Sequence, residues 1–227
     1  AAVTAMDANV GRLLDRLEER GLAENTLVVF VSDNGFSCGH HGFWGKGNGT
    51  EPRNMYENSI KVPFIVSHPG HVPVGQVQEA MVSAYDVMPT LLEYLNLPVP
   101  QGRDPVGHSF LPVLLGQEDR ARQQVVIYDE YGNTRMVRTS EAKYVRRYPH
   151  GPDELWDLVE DPYERYNLID DPGQEARIAQ MGQMLEEWFA RHVDPQVDGL
   201  EQDVTGRGQL RPVFPDWQDN GPAYYHD

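Results

Sequence analysis

The stretch from residue 27 to residue 64 constrains the fold of this 227-residue chain more than any other part. It opens at residues 27–31 with a continuous apolar run that lacks the polar alternation of a half-exposed strand. A short run rich in β-branched residues is typical of a strand buried on both faces, as in a parallel sheet. A second apolar strand is predicted at residues 62–66, so the stretch predicts two strands joined by a long loop.

The residues that precede the first strand have the spacing of an amphipathic helix. Apolar side chains recur at helical intervals from Val3 to Leu17, and Gly21 then provides a helix stop. A helix, a short turn and a buried strand together make half of an α/β crossover. The sequence therefore predicts an α/β fold that contains part of a large mixed sheet flanked by helices.

A different pattern follows a linker that is rich in proline and glycine. Turn residues separate four predicted strands, at residues 124–129, 134–139, 143–148 and 154–158. A helix is predicted at residues 172–192, where an apolar stripe is formed by Ile178, Met181, Leu185, Trp188 and Phe189. Such a stripe is typical of core packing. We therefore expect a small antiparallel sheet packed with a C-terminal helix.

The charge of the chain limits its partners. The formal net charge is −16, which disfavours nucleic acid and anionic membrane surfaces as partners. An anionic ligand would therefore need local positive charge.

No apolar run approaches the roughly 18 residues of a transmembrane helix, so no transmembrane segment is predicted. The single cysteine, Cys38, excludes an internal disulfide, and we expect it to be a small buried residue rather than a nucleophile.

Polar residues follow the first strand directly. Asp33 and Asn34 lie at its predicted end, and ligands of open α/β sheets bind in the crevice beyond the carboxyl ends of the strands. The alternative is a plain turn, because Asp-Asn-Gly is also common turn chemistry. Lys46 lies 12 positions beyond Asn34 (46 − 34) in a glycine-rich loop, where a solvated lysine is the alternative.

The length of this loop favours a function. It has about thirty residues, whereas structureless loops rarely exceed about 12–15, and longer ones tend to be functional or disordered. Aromatic side chains such as Phe43, Trp44 and Tyr56 can pin the loop to the protein, which argues against disorder.

Three motifs in this region carry a resemblance to a known family. They are Ser-Asp-Asn-Gly, then Gly-His-His-Gly-Phe-Trp-Gly-Lys, then Tyr-Glu-Asn-Ser-Ile-Lys-Val-Pro-Phe-Ile. Their order and spacing resemble the sulfatases of the alkaline phosphatase superfamily. The resemblance implies that Asp33 and Asn34 ligate a calcium ion and that Lys46 is a catalytic residue that contacts the sulfate. His41, in the Gly-x-His-Gly element, is a further candidate for substrate binding.

The chemistry of these side chains agrees with the roles that the resemblance implies. The oxygens of a sulfate ester repel nucleophiles, and a hard divalent cation held by carboxylate and amide oxygens can neutralise that charge. Lys46 would add a compact positive charge. Two ligands cannot complete a calcium shell of about 6–8 oxygens, so we expect further ligands elsewhere.

The resemblance extends to the second half of the chain and implies three regions. Glu-Leu-Trp-Asp-Leu at residues 154–158, followed by Asp161 and Pro162, resembles a signature near sulfatase C-termini. We expect residues 1–97 to be the C-terminal part of the catalytic α/β domain and residues 98–192 a small antiparallel-sheet subdomain. Residues 193–227 would form an irregular tail.

The nucleophile of these sulfatases is a formylglycine made from Cys or Ser in a Cys/Ser-x-Pro-x-Arg motif. No Cys or Ser of this chain has that context, since Cys38 is followed by Gly-His-His-Gly. We therefore expect this chain to be the C-terminal portion of a sulfatase that acts on a small-molecule or carbohydrate sulfate ester, inactive by itself. Two alternatives stay open: a phosphonate or phosphodiester hydrolase on the same scaffold, and a non-catalytic binding module.

Three other residues are weaker candidates for the site. His68 lies at the end of the second strand, and a surface loop histidine is the favoured interpretation. Arg103 is expected to be a solvated surface residue. Arg207 lies in the tail, which either wraps back towards the site or forms a frayed terminus.

Overall fold

Five α-helices and eight strands follow one another in the part of the chain that the structure, a computed structural model, describes: residues 2–50, 53–98, 106–117, 122–129 and 133–201. The helices are α1 (Ala2–Glu19), α2 (Glu57–Ile60), α3 (Val87–Tyr94), α4 (Leu111–Leu114) and α5 (Glu175–His192). The strands are β1 (Val28–Val31), β2 (Ser37–Cys38), β3 (Trp44–Gly45), β4 (Phe64–Ser67), β5 (Val125–Tyr128), β6 (Thr134–Arg138), β7 (Ala142–Arg147) and β8 (Glu154–Asp157).

The first half of the chain has the predicted order of helix, strand, long loop and strand. β1 pairs with β4 in an antiparallel manner, with Val28 opposite Ser67 and Val31 opposite Phe64. The pairing is antiparallel because the intervening chain contains only the single turn of α2 and no crossover helix, so it returns alongside β1 in the opposite direction. Within the described residues, the part of the chain predicted to form the mixed sheet contains this pair and the short hairpin of β2 and β3.

Burial of β1 differs from the prediction of a strand covered on both faces. Its first three residues are only half-buried, and Val31 is 48% exposed. The reason is that β1 has one neighbouring strand within the described ranges, and α1 contributes no buried residue to cover it. The continuous apolar run therefore correctly predicted a strand, but not its surroundings.

The second half of the chain confirms the predicted small sheet and its helix. The strands form one antiparallel sheet in the order β5-β6-β7-β8. Its apolar face packs on α5 through a core made by Val126, Val137, Ala142, Tyr144, Leu155, Met181, Leu185, Trp188 and Phe189. The stripe predicted for α5 supplies four of these side chains, and Ile178 packs against them partly buried. The α/β fold class is therefore confirmed.

A buried ion network joins the small sheet to α2. The Lys143 ammonium on β7 is fully buried, and its Nζ lies 2.6 Å from Glu164 Oε1 and 2.8 Å from Glu57 Oε1. Nζ also donates to the carbonyl of Met55 at 2.8 Å. Glu164 Oε2 accepts a hydrogen bond from the backbone N–H of Glu57 at 2.8 Å. Because a buried charge is tolerated only when it is well paired, this network fixes α2 against the sheet.

The predicted regional boundaries stay predictions. The ion network crosses the boundary expected between residues 97 and 98, since it joins Glu57 to Lys143. In the expected tail, Pro195–Val197 and Gly199–Glu201 form short 3-10 turns, and residues 202–227 lie outside the described residues. Among the helices in the described ranges, none combines the length and the apolar character needed to cross a membrane.

The ion network leads to a stability prediction. Lys143→Met should lower the free energy of unfolding by roughly 3–5 kcal/mol, because it leaves the Glu164 carboxylate buried without its cation and leaves Glu57 with Arg138 as its remaining cationic partner. Urea unfolding followed by tryptophan fluorescence measures the change. As a matched control, Arg177→Met removes a partly exposed ion pair with Asp157 (2.9 Å) and should cost less than about 1 kcal/mol. Equal losses in the two variants would contradict the prediction.

Candidate active site

The turn after β1 is held against α2 by backbone contact. Ser32 Oγ donates to the carbonyl of Asn34 at 2.8 Å, which closes the turn. The backbone N–H of Gly35 donates to the carbonyl of Ser59 at 2.9 Å. A Cβ at Gly35 would lie 2.0 Å from the carbonyl oxygen of Asn58, so only glycine allows this approach. The turn therefore presents Asp33 and Asn34 from a fixed backbone.

A second turn, which contains Lys46, is held by the same helix. The carbonyl of Gly47 accepts from the backbone N–H of Asn54 at 3.1 Å. The Asn54 side chain in turn accepts from Ser59 Oγ at 2.6 Å, and both Asn54 and Ser59 are buried. Ser59 therefore anchors both turns, one through its backbone and one through its hydroxyl.

The two turns line one cleft of about 380 Å³. Its lining is made by Asp33, Asn34, Lys46, Gly47, Asn48, Arg53, Asn54, Met55, Ser59, Ile60, Tyr128 and Asp129. The structure thus brings together Asp33, Asn34 and Lys46, which are separated in sequence. A larger hollow of about 580 Å³ lies along α1 and contains none of them, so size alone does not mark the site.

The charges in the cleft are mixed. Two acids, Asp33 and Asp129, face two cations, Lys46 and Arg53, along the same lining. Arg53 Nε lies 3.3 Å from Asp129 Oδ2, with 21% of the arginine side chain and 4% of the aspartate side chain exposed. The side chains of Asp33 and Lys46 are exposed. Positive charge is therefore available in the cleft despite the strongly acidic chain.

The donor set at the first turn fits a hard cation. A carboxylate and an amide are oxygen donors of the kind that calcium takes, and within the described ranges neither the Asp33 nor the Asn34 side chain is engaged in a hydrogen bond or ion pair. The residues described contain no cluster of three or more His, Cys, Asp or Glu side chains that could hold a metal ion. Asp33 and Asn34 are thus suitable as two ligands of a larger shell.

His41 lies outside the lining of the cleft. It has a left-handed backbone conformation (φ 53°), and its ring stacks on Tyr56 with centroids 3.7 Å apart and planes 4° apart. Burial lowers the pKa of His41 below its usual 6.5, and the negative charge of Glu164 partly opposes that effect. The structure therefore places this ring against Tyr56 and outside the lining of the cleft. A direct role of His41 in substrate binding stays a prediction.

Two expectations about single residues are wrong. Cys38 is exposed rather than buried, because the two-residue strand β2 turns its neighbour Ser37 inward instead. His68 is buried rather than on a surface loop: its ring lies 2.5 Å from Tyr94 Oη through Nδ1 and 3.1 Å from the Glu24 carbonyl through Nε2. Arg103 and Arg207 lie outside the described residues.

Sequence reasoning missed the side of the cleft that Arg53, Tyr128 and Asp129 form. Asp129 directly follows β5, as Asp33 follows the run of β1, so the strand-end pattern that selected Asp33 was available for Asp129 as well. Arg53 has no comparable signal, because a lone arginine in a polar loop is usually solvated. Its place in the cleft depends on tertiary contacts: its carbonyl accepts from the Arg147 guanidinium at 2.9 Å.

The fold and the cleft agree with the class of protein that the sequence motifs resemble, the sulfatases of the alkaline phosphatase superfamily. Comparison with protein families identifies the particular group. The model of the family described as "N-sulphoglucosamine sulphohydrolase, C-terminal" matches residues 39–191, which is more than half of the chain. The chain belongs to this family.

Similar proteins agree with this assignment. The N-acetylglucosamine-6-O-sulfatase of Bacteroides thetaiotaomicron is 31% identical over 222 residues, covering 93% of this chain and 38% of that protein. The solved structure of BT4656 in complex with its substrate D-glucosamine-2-N,6-O-disulfate is similar with a TM-score of 0.76 and 29% identity, covering 88% of this chain and 41% of the other.

A second similar structure is that of an enzyme named for a different reaction. The phosphonate monoester hydrolase of Agrobacterium radiobacter matches with a TM-score of 0.70 and 25% identity, covering 97% of this chain and 43% of the other. This chain therefore spans less than half of the length of each of these three relatives.

The stacked position of His41 leads to a pH prediction. Because burial disfavours the charged ring, His41 should titrate below 6.5 in the folded protein. Its contribution to stability is then complete above pH 6.5 and is lost as the pH falls through the lowered pKa. NMR titration of the imidazole measures the midpoint, and Tyr56→Leu should move it towards 6.5 by uncovering the ring. A native midpoint at or above 6.5 would contradict the prediction.

Proposed function

We propose that the protein hydrolyses a sulfate ester, with Asp33 and Asn34 as calcium ligands and Lys46 as the residue that binds the sulfate. The observation that supports this proposal is the meeting of these three side chains in one cleft on turns anchored by Ser59. The chain spans less than half of its relatives' length. The proposal therefore concerns the whole protein, of which this chain supplies part of the site.

Each residue has a defined task in this proposal. Calcium, when bound by Asp33 and Asn34, would neutralise the charge on the sulfate oxygens and polarise the S–O bonds. Lys46 would place a compact positive charge against the same oxygens and stabilise the charge that develops as the bond to the alcohol breaks. Asn54 and Ser59 would keep the Lys46 turn in place, which limits the reorganisation needed during the reaction.

The nucleophile is proposed to come from the part of the relatives that this chain does not cover. The resemblance to sulfatases implies a formylglycine, and no Cys or Ser here has the Cys/Ser-x-Pro-x-Arg context. Cys38 is exposed but is not part of the lining of the cleft. This chain would thus contribute charge and positioning, and the ester would be that of a carbohydrate or another small molecule.

A second candidate is the hydrolysis of a phosphonate monoester or phosphodiester on the same scaffold. The similarity to the Agrobacterium radiobacter enzyme favours it. A metal, a lysine and a nucleophile can serve both reactions, because each stabilises charge on a tetrahedral anion. A third possibility is a module that binds calcium but hydrolyses neither ester.

Substitution of Lys46 tests its role. In the protein expressed from its complete gene, Lys46→Ala should lower kcat by roughly 100-fold or more, because stabilisation of the developing charge is lost. Calcium binding, measured by isothermal titration calorimetry, should be unchanged, whereas Asp33→Ala should weaken it. Lys61→Ala removes another exposed lysine, outside the lining of the cleft, and serves as the control. Unchanged turnover in Lys46→Ala would remove this residue from the mechanism.

Parallel assays separate the candidate reactions. We expect para-nitrophenyl sulfate to be hydrolysed with a higher kcat/KM than the para-nitrophenyl ester of phenylphosphonate. The reason is that the sequence motifs and the matching family model are those of sulfatases. The same leaving group in both esters isolates the preference for sulfur or phosphorus. A preference for the phosphonate would favour the second candidate, and calcium binding without hydrolysis of either ester would favour the binding module.

A further inference from the structure

Residues 53–55 lie between the Lys46 turn and α2 and form neither a helix nor a strand. Two cations of β7 hold the carbonyls of this segment. The Arg147 guanidinium donates to the Arg53 carbonyl through Nε at 3.2 Å and through Nη2 at 2.9 Å, and Lys143 Nζ donates to the Met55 carbonyl at 2.8 Å. Hydrogen bonds from charged donors are roughly twice as strong as neutral ones. The small sheet therefore fixes the backbone of residues 53–55.

Asn54, between the two held carbonyls, faces the Lys46 turn instead. Its backbone N–H donates to the Gly47 carbonyl at 3.1 Å. Its side chain accepts from Ser59 Oγ at 2.6 Å and donates to Thr50 Oγ1 at 2.9 Å. Residues 53–55 thus contact β7 at both ends and the glycine-rich turn in the middle.

Arg147 holds its position with all arms of its guanidinium. Its side chain is 5% exposed, Nη2 lies 2.8 Å from Glu154 Oε1, and Nη1 donates to the Pro152 carbonyl at 2.5 Å. A buried ion pair is often no more stabilising than apolar side chains of the same volume. What the charged fork provides here is the fixed place of the Arg53 carbonyl, which a lysine on a flexible stem cannot reproduce.

The held segment meets the candidate site at Gly47, which directly follows Lys46. A Cβ on Gly47 would lie 2.7 Å from the Asn54 carbonyl oxygen, so the two backbones are in direct contact. A shift of Asn54 would therefore move the backbone that carries Lys46. A displacement of about 1 Å at a reacting centre can cost about 100-fold in rate, even when the substituted residue is distant.

We infer that Arg147 is a positioning residue for Lys46. By fixing the Arg53 carbonyl, it holds residues 53–55, and through them the Lys46 ammonium, in the place that catalysis requires. This inference rests on the proposed function, because it assumes that Lys46 stabilises the charge of the sulfate. Arg147 is not part of the lining of the cleft, so it acts through the backbone and does not touch the substrate. The small sheet then serves catalysis as well as folding.

A double-mutant cycle in the protein expressed from its complete gene tests the inference. Arg147→Lys keeps a charge opposite Glu154 but loses the fork on the Arg53 carbonyl. With para-nitrophenyl sulfate, we expect kcat to fall roughly 10-fold and KM to change less than about 2-fold, because transition-state stabilisation is lost. In the Lys46→Ala background, the same substitution should lower kcat by less than about 2-fold, because the ammonium that it positions is absent.

Arg135→Lys is the matched control. Arg135 lies on the neighbouring strand β6, its side chain is also 5% exposed, and it pairs with Asp198. It is not part of the lining of the cleft, and its substitution should change kcat by less than about 2-fold. Thermal unfolding of each variant monitors the fold. If Arg147→Lys unfolds below the assay temperature, Arg147→Gln, which keeps one NH₂ donor without a charge, replaces it in the same cycle.

The coupling between the two substitutions decides the inference. A loss of kcat that occurs with Lys46 present and vanishes without it supports the inference. An equal loss in both backgrounds, an unchanged kcat, or a rise in KM alone overturns it. The proposed function stands in these three cases as long as Lys46→Ala by itself lowers kcat. If Lys46→Ala leaves kcat unchanged, or if the wild-type protein is inert towards sulfate esters, the proposed function fails and the inference fails with it.

Discussion

The pairing of one buried ammonium, that of Lys143, with the carboxylates of Glu57 and Glu164 underlies the arrangement of the cleft. A charge in this position is stable only while both carboxylates remain in place. Glu57 begins α2, so the network fixes the position of that single helical turn. A helix of four residues has little intrinsic stability, which means that its place is set by these contacts rather than by its own hydrogen bonds. The small sheet is therefore part of the site, although most of the predicted site residues lie elsewhere.

From α2, the constraint passes to both turns through Ser59. Its carbonyl binds Gly35, and its hydroxyl binds Asn54, which holds Gly47. The two glycines permit backbone approaches that a Cβ would block: at Gly47 it would lie 2.7 Å from the Asn54 carbonyl oxygen. Rigid support matters here because charges stabilise a transition state only when they need not reorganise. The exposed side chains of Asp33 and Lys46 thus stand on a backbone that is fixed beneath them.

The sequence predicted local structure well and tertiary surroundings poorly. The four strands of the small sheet and the stripe of α5 were predictable because period and turn residues are local signals. The half-exposure of β1 and the burial of His68 depend on which elements cover them, and no local pattern reports that. In the cleft, Asp33, Asn34 and Lys46 could be selected from the sequence because each lies in a contiguous motif, and their roles stay predictions. Arg53 was missed because its position follows from contact with Arg147 on β7.

The charges of the cleft bear on how one scaffold can serve different esters. A sulfate ester and a phosphonate monoester each carry a single negative charge on a tetrahedral group, so the cation and Lys46 cannot separate them strongly by charge. Discrimination among esters of the same acid must come from the alcohol part. The ends of β1 and β5 both lie at the cleft, since Asp33 follows β1, Asp129 follows β5, and both residues line it. A divalent cation at Asp33 would draw the anion to one side of the cleft. The alcohol part would then lie towards the side of the cleft that Arg53 and Asp129 form.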